Sequence, residues 1–113
     1  MNNEMLDQCQ DVFAGIIAER IQLEPRCIDI LKSFINKTEG QESFSLRSMN
    51  KMNISTENDI PKQICGYYVD MMYFCGLLEI DDSISSHYKR SFYVLSTLGY
   101  RVLELVMTSH QEN

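Results

Sequence analysis

Two short polar stretches hold most of the side chains with chemistry to offer. The first is Ile60-Pro61-Lys62-Gln63-Ile64-Cys65-Gly66-Tyr67. Asp59 before it is a good helix N-cap, and Pro61 suits a first turn, where its missing N–H costs nothing. Lys62 and Gln63 then stand at the head of a helix. From that position a lysine reaches a phosphate or the edge of a guanine, and a glutamine pairs with adenine. Gly66 lets another backbone come close, and Tyr67 can stack or bond to phosphate. The second stretch is Ser85-Ser86-His87-Tyr88-Lys89-Arg90. Its hydroxyls, His87 and adjacent bases Lys89 and Arg90 suit a nucleic-acid backbone or a minor groove. A solvated first turn and a solvated hairpin tip would use the same residue types. The spacing of the two stretches therefore carries the weight.

No other constellation suggests catalysis or a metal. His87 and His110 have no Cys or carboxylate at ligand spacing. Cys9, Cys27, Cys65 and Cys75 include no C-x-x-C pair. There is no Gly-rich phosphate loop, no G-x-S-x-G and no H-E-x-x-H. The adjacent acids Asp81 and Asp82 fall in turn chemistry, where Asp is common for conformational reasons. The expectation is a protein that is not an enzyme and uses no cofactor.

The elements that must position these residues are legible. Ile64, Tyr68, Met71, Met72 and Cys75 recur at helical spacing after Pro61, and Gly76 follows as a residue able to take positive φ. Leu77-Leu78-Glu79-Ile80 reads as a strand, Asp81 to Ser86 as a turn, and Ser91 to Leu95 as the returning strand. Ser96 caps a last helix in which Leu98, Val102, Leu105 and Val106 share a face. Helix, hairpin, helix in this order is the second half of a winged helix. Upstream, Asn3 to Gln22 reads as a long helix, and Pro25 starts another that buries Cys27, Ile28, Ile30, Leu31, Phe34 and Ile35. Thr38 to Glu42 is a polar loop. Ser45 caps a short helix over Leu46 to Met52, Ile54 plugs the core at its turn, and Arg47, Ser48 and Lys51 on it could anchor phosphates. The fold class expected is α+β, mainly α: a winged helix-turn-helix with an additional N-terminal helix and a C-terminal helix, spanning residues 1–113 as one domain.

Apolar residues make up 44% and charged residues 23% of the 113, an ordinary globular balance. Nothing approaches a run of about 18 apolar residues, so no membrane span is expected. The start Met-Asn-Asn-Glu-Met lacks the basic and apolar regions of a signal peptide. The expected location is the cytoplasm, with all four thiols reduced and packed as small hydrophobes. The net charge of −6 opposes a simple phosphate binder. Its distribution is uneven. Residues 1–24 hold Glu4, Asp7, Asp11, Glu19 and Glu24 against Arg20 alone, whereas Ser83 to Leu103 hold Lys89, Arg90 and Arg101 with no acid. In the first helix Met5, Leu6, Cys9, Val12, Phe13, Ile16, Ile17, Arg20 and Ile21 follow the 3-4 repeat and make a stripe two residues wide. Part of it, Met5, Cys9, Val12, Phe13 and Ile16, is expected to meet a second subunit.

Particular blocks resemble the TubR family. They are Phe13 to Ile21, Cys27 to Asn36, Tyr73-Phe74-Cys75-Gly76-Leu77-Leu78-Glu79 and Arg90-Ser91-Phe92-Tyr93-Val94-Leu95-Ser96-Thr97-Leu98-Gly99. The last block is also similar to MarR-like and PadR-like repressors. The TubR resemblance implies a winged-helix homodimer that binds tandem centromere repeats in double-stranded DNA. It implies that paired recognition helices share one major groove and that wings reach the flanking minor groove. It also implies capture by filaments of the tubulin-like GTPase TubZ, as part of plasmid or phage partition, and, as for some members of the family, repression of their own operon. Lys62 matches the family's basic position at the recognition helix, and Lys89 and Arg90 match its basic wing. The connection from Ile54 to Ile60 and the wing from Asp81 to Arg90 read as longer than the family's. The alternatives are a winged-helix transcriptional repressor and a winged helix used only for protein–protein contact.

Overall fold

The computed structural model describes residues 3–22, 24–36, 45–85 and 90–111, without the side chains of 3–7, 10, 36 and 109–111. The elements run α1 (Asn3–Ile21), α2 (Pro25–Ser33), β1 (Ile35–Asn36), β2 (Ser45–Leu46), α3 (Lys51–Asn58), α4 (Lys62–Phe74), β3 (Leu78–Ile80), α5 (Asp82–Ser85), β4 (Tyr93–Leu95) and α6 (Thr97–Gln111). The winged-helix expectation is borne out, with α2, α3 and α4 as its three helices and β3–β4 as its wing. The expected loop at Thr38–Glu42 lies outside the described residues.

Helix α1 lies along α6, and Arg101 on α6 is ion-paired to Asp11 on α1 at 2.5 Å. Pro25 occupies the first turn of α2, where its fixed φ suits helix entry. Cys27, Ile28, Ile30 and Leu31 of α2 are buried as the spacing predicts, and Phe34 just beyond is buried completely. Ile35, expected to close that helix, instead starts β1, which pairs antiparallel with β2 through Ile35↔Leu46 and Asn36↔Ser45.

That strand pair corrects the expected helix at Leu46–Met52. Ser45 is not an N-cap but a strand residue, and Leu46 is exposed. Met49 forms an isolated bridge to Tyr93 of the wing, with N···O distances of 2.9 and 2.8 Å. The helix starts only at Lys51. Asn50 and Asn53 close a reciprocal capping box at 2.8 and 3.3 Å, a device worth about 1 kcal/mol. The later start places Ile54 inside α3 and fully buried, which contributes about 1.5–3 kcal/mol. The long connection therefore does not exist. Only Asp59, Ile60 and Pro61 separate α3 from α4. Asp59 is not the N-cap of α4; it ends α3 in the left-handed region at φ 51°, which a short polar side chain tolerates. The turn is closed by Ile60 N–H to the Ser55 carbonyl at 3.0 Å and by Ser55 Oγ–H to the Ile60 carbonyl at 2.5 Å.

Helix α4 buries Met72 as expected, together with Cys65 and Val69, which stand one position round from the expected Ile64 and Tyr68. Tyr68 is half-buried, and Ile64, Met71 and Cys75 are exposed. Gly76 follows at φ +84°, as its place after the helix requires. Strand β3 pairs with β4 through Leu78↔Leu95, Glu79↔Val94 and Ile80↔Tyr93. Of the turn expected at Asp81–Ser86, Asp82–Ser85 form a helical turn, α5, and Ser86 lies outside the described residues. Ser96 caps α6: its Oγ accepts the Gly99 N–H at 2.9 Å and donates to the Gly76 carbonyl at 2.5 Å. That one side chain ties the end of α4 to the start of α6. Helix α6 buries Val102, Leu103 and Val106, leaves the expected Leu105 exposed, and continues through the polar tail to Gln111. Cys27 and Cys65 are buried, but Cys9 and Cys75 are exposed, so the expectation of four buried thiols fails for two. Both had matched an apolar stripe that faces outward.

Candidate nucleic-acid interface

With α3 and α4 joined by three residues, their N-terminal turns and the wing converge. A cleft of about 460 Å³ is lined by Asn50, Lys51, Met52, Lys62, Arg90, Ser91 and Tyr93. Its bases come from three separate elements: Lys51 from α3, Lys62 from α4 and Arg90 from the end of the wing. Tyr93 forms part of the wall; its ring meets Tyr73 edge-on at 6.0 Å, and burial pushes its phenol pKa up. Arg90 crosses from the wing toward α3, with Nη1 3.7 Å from Met52 Sδ. Lys51 is not loose. Its Nζ pairs with Asp70 Oδ1 at 2.7 Å, and both side chains are about half exposed. That hydrogen bond is the largest cause raising the Lys51 pKa.

The other sequence-picked residues stand elsewhere. Arg47 donates from Nε to the Ser33 carbonyl at 2.8 Å and from Nη2 to Glu57 Oε1 at 2.6 Å, holding β2 against α2 and α3. Ser48 donates to Asp81 Oδ2 at 2.5 Å. Asp81 also accepts from the Ser83 N–H and hydroxyl at 3.2 and 2.6 Å. The Ser48 and Ser83 bonds hold its carboxyl below the ordinary value of 3.8. Arg47 and Ser48 thus serve the scaffold, and Ser48 fixes the base of the wing. Pro61 precedes α4, and Gln63 is exposed on its first turn. Gly66 is half-buried, and a Cβ there would meet nothing within 4 Å. His87 and Lys89 lie outside the described residues.

A second surface is apolar. Val12, Phe13 and Ile16 on α1 are 66%, 58% and 58% exposed, while the same helix buries Ala14, Ala18 and Ile21. Cys9 is exposed too, and the Met5 side chain lies outside the described residues. The patch does not stop at α1. A groove of about 420 Å³ between α1 and α4 is lined by Ile16, Ile17, Ile21, Met71, Met72, Cys75 and Leu77 among others. Beyond it, α4 exposes Ile64, Tyr67, Met71 and Phe74. Their 3-4-3 spacing is that of a helix–helix seam. Phe74 is 82% exposed. Sequence reasoning missed this stripe because α4 is apolar almost all round, and one periodicity hid the other.

The fold is shared with known structures. No protein-family model matches the chain, and no curated protein matches it. Among solved structures, TubR from Bacillus thuringiensis serovar israelensis pBtoxis bound to 24 bp of tubC is 23% identical, with a TM-score of 0.69 over 85% of this chain and 94% of that one. A mutant of the type III plasmid segregation protein TubR is 23% identical, with a TM-score of 0.69 over 88% and 93%. Another type III TubR structure is 25% identical, with a TM-score of 0.64 over 81% of each chain. The chain has a TubR-like fold.

Proposed function

We propose that this chain is a DNA-binding adaptor of a plasmid or phage partition system. As a homodimer it binds tandem centromere repeats, it links them to filaments of a tubulin-like GTPase, and it represses its own operon. The observation that carries the reading is the convergence of Lys51, Lys62 and Arg90 on one cleft beside the first turn of α4. Three cations from three elements on one concave surface suit a phosphate backbone passing over the head of the helix. Lys62 and Gln63 then face the major groove, with Gly66 one turn on, while Tyr67 belongs to the exposed α4 stripe. The wing, with His87, Lys89 and Arg90, reaches the flanking groove. The likeness to a TubR bound to 24 bp of tubC supports the same use of the fold.

The dimer is part of the proposal. The apolar face of α1, its groove and the α4 stripe are continuous, and their exposure on a lone chain calls for a cover. Pairing through this face doubles the cations available to one duplex and brings two recognition helices side by side. It also answers the net charge of −6. One copy holds few bases, whereas tandem sites raise the effective concentration of the next dimer.

Fluorescence anisotropy on repeat arrays at several salt concentrations tests the reading. Lys62→Ala and Arg90→Ala should each weaken binding by about 1–3 kcal/mol where they touch base edges, or flatten the salt slope by about one for every phosphate left without its cation. Asp29→Ala, exposed on α2, should do neither. The acidic balance favours the competing reading of a fold used only for protein contact. If both base variants bind like the parent, that reading replaces this one.

A further inference from the structure

The cleft contains a feature that phosphate binding alone would not call for. Lys51, one of its three bases, already has an anionic partner in Asp70. Asp70 lies two turns along α4 from Lys62, on the same face, with Gly66 midway between them. A Cβ at Gly66 would meet nothing within 4 Å, so there is room beside the helix midway between Lys62 and Asp70. Both partners are about half exposed, and pairs so exposed contribute little to stability. As a staple between α3 and α4 the pair is redundant, because those helices already pack together, bury Ile54 and Cys65 in one core, and are linked by Cys65 Sγ–H to the Lys51 carbonyl at 3.8 Å. As a neighbour of a phosphate, Asp70 both occupies the lysine and adds a like charge.

We propose, resting on the DNA-binding reading above, that Asp70 is an affinity-limiting residue: it competes with the DNA phosphate for Lys51 and keeps single-site binding weak. While Lys51 stays with Asp70 it neutralises no phosphate, so each protomer meets a single site with one cation fewer, and occupancy comes to depend on neighbouring sites. Among the described bases of the cleft, Lys51 is the one held by a carboxylate at ion-pair distance.

The test is Asp70→Asn in the full chain, measured by fluorescence anisotropy on a single repeat and on a tandem array, with thermal melting as a fold control. Asparagine keeps the shape and removes the charge. Single-site affinity should rise about 1.5- to fivefold per protomer. The salt slope should steepen by about 0.9 per protomer, the signature of one more neutralised phosphate. The gain from single repeat to array should shrink. Unchanged or weaker binding with the parent's slope, while the parent itself binds in a salt-dependent way, overturns this inference and leaves the DNA reading standing. A parent that binds no DNA at low salt removes both. If Asp70→Asn melts early, the exchanged pair Lys51→Asp with Asp70→Lys keeps the ion pair and moves the negative charge into the cleft. It should bind more weakly than the parent. Parental binding by the exchanged pair would show a mere staple and overturn the proposal.

Discussion

Gly99→Ala should damage the joint on which the wing rests, and the size of the damage follows from the packing. Gly99 is buried in the first turn of α6. A Cβ built there would overlap the Leu77 carbonyl oxygen and lie 2.9 Å from Leu95 Cδ1. The leucine side chain can give; the carbonyl cannot without moving the entry to β3. That oxygen accepts the Ser96 N–H at 3.0 Å, and Ser96 Oγ bridges Gly76 and Gly99. Overpacking costs about 1–3 kcal/mol, and each loosened hydrogen bond about 0.5–1.5 kcal/mol. The alanine gain in helix propensity, about 0.8–1.0 kcal/mol in a helix interior, offsets part. The net loss should be about 2–4 kcal/mol, or a fall in Tm of roughly 10–20 °C for a chain of this size. Gly66→Ala is the internal control. Its Cβ has open space, so the same exchange should stabilise by about 0.4–1 kcal/mol. Thermal and urea melts of both variants at one fixed protein concentration make the comparison, because the proposed dimer would make Tm concentration-dependent. A Gly99→Ala protein that melts at or above the parent would refute the account of this joint.

Two further outcomes are expected. Sedimentation at micromolar concentration should give twice 13.2 kDa for the parent, whereas Phe13→Asp and Met71→Asp should each give the monomer; a dimer that survives both changes does not use the α1–α4 face. In native protein, thiol reagents should reach Cys9 and Cys75, more slowly as concentration rises if the proposed dimer covers them. Cys27, whose thiol burial pushes up to about 11, with Glu24 and Cys75 adding to the shift, and buried Cys65 should react only on unfolding; rapid native labelling of Cys27 would contradict its packing.

The parts of this protein that the sequence determined are those where one residue type meets one local demand. Gly76 is at a helix end because the backbone there takes positive φ. Ser96 is at a helix start because the first N–H groups need an acceptor. Pro25 opens α2 for the matching reason. With the strands at Leu78–Ile80 and Tyr93–Leu95, these fixed the order helix, wing, helix. The start of α3 was not local in this way. Leu46, Met49 and Met52 fit a helix as well as Ile54 fits a turn; the helix instead starts at Lys51 and takes in Ile54, which is buried in the core as expected. What decided between them was the pairing of Met49 with Tyr93, a partner far along the chain. The buried face of α4 was decided in the same manner. Apolar residues nearly encircle it, and only its seat against α3 and the wing selected Cys65, Val69 and Met72. That choice left Tyr67, Met71 and Phe74 outside and joined them to the α1 patch. It also carried Asp70 to Lys51 and set Lys51 beside Lys62 and Arg90. Periodicity records which residues share a face of one element. It holds no information about which face of the next element lies opposite, and the cleft is made of such oppositions.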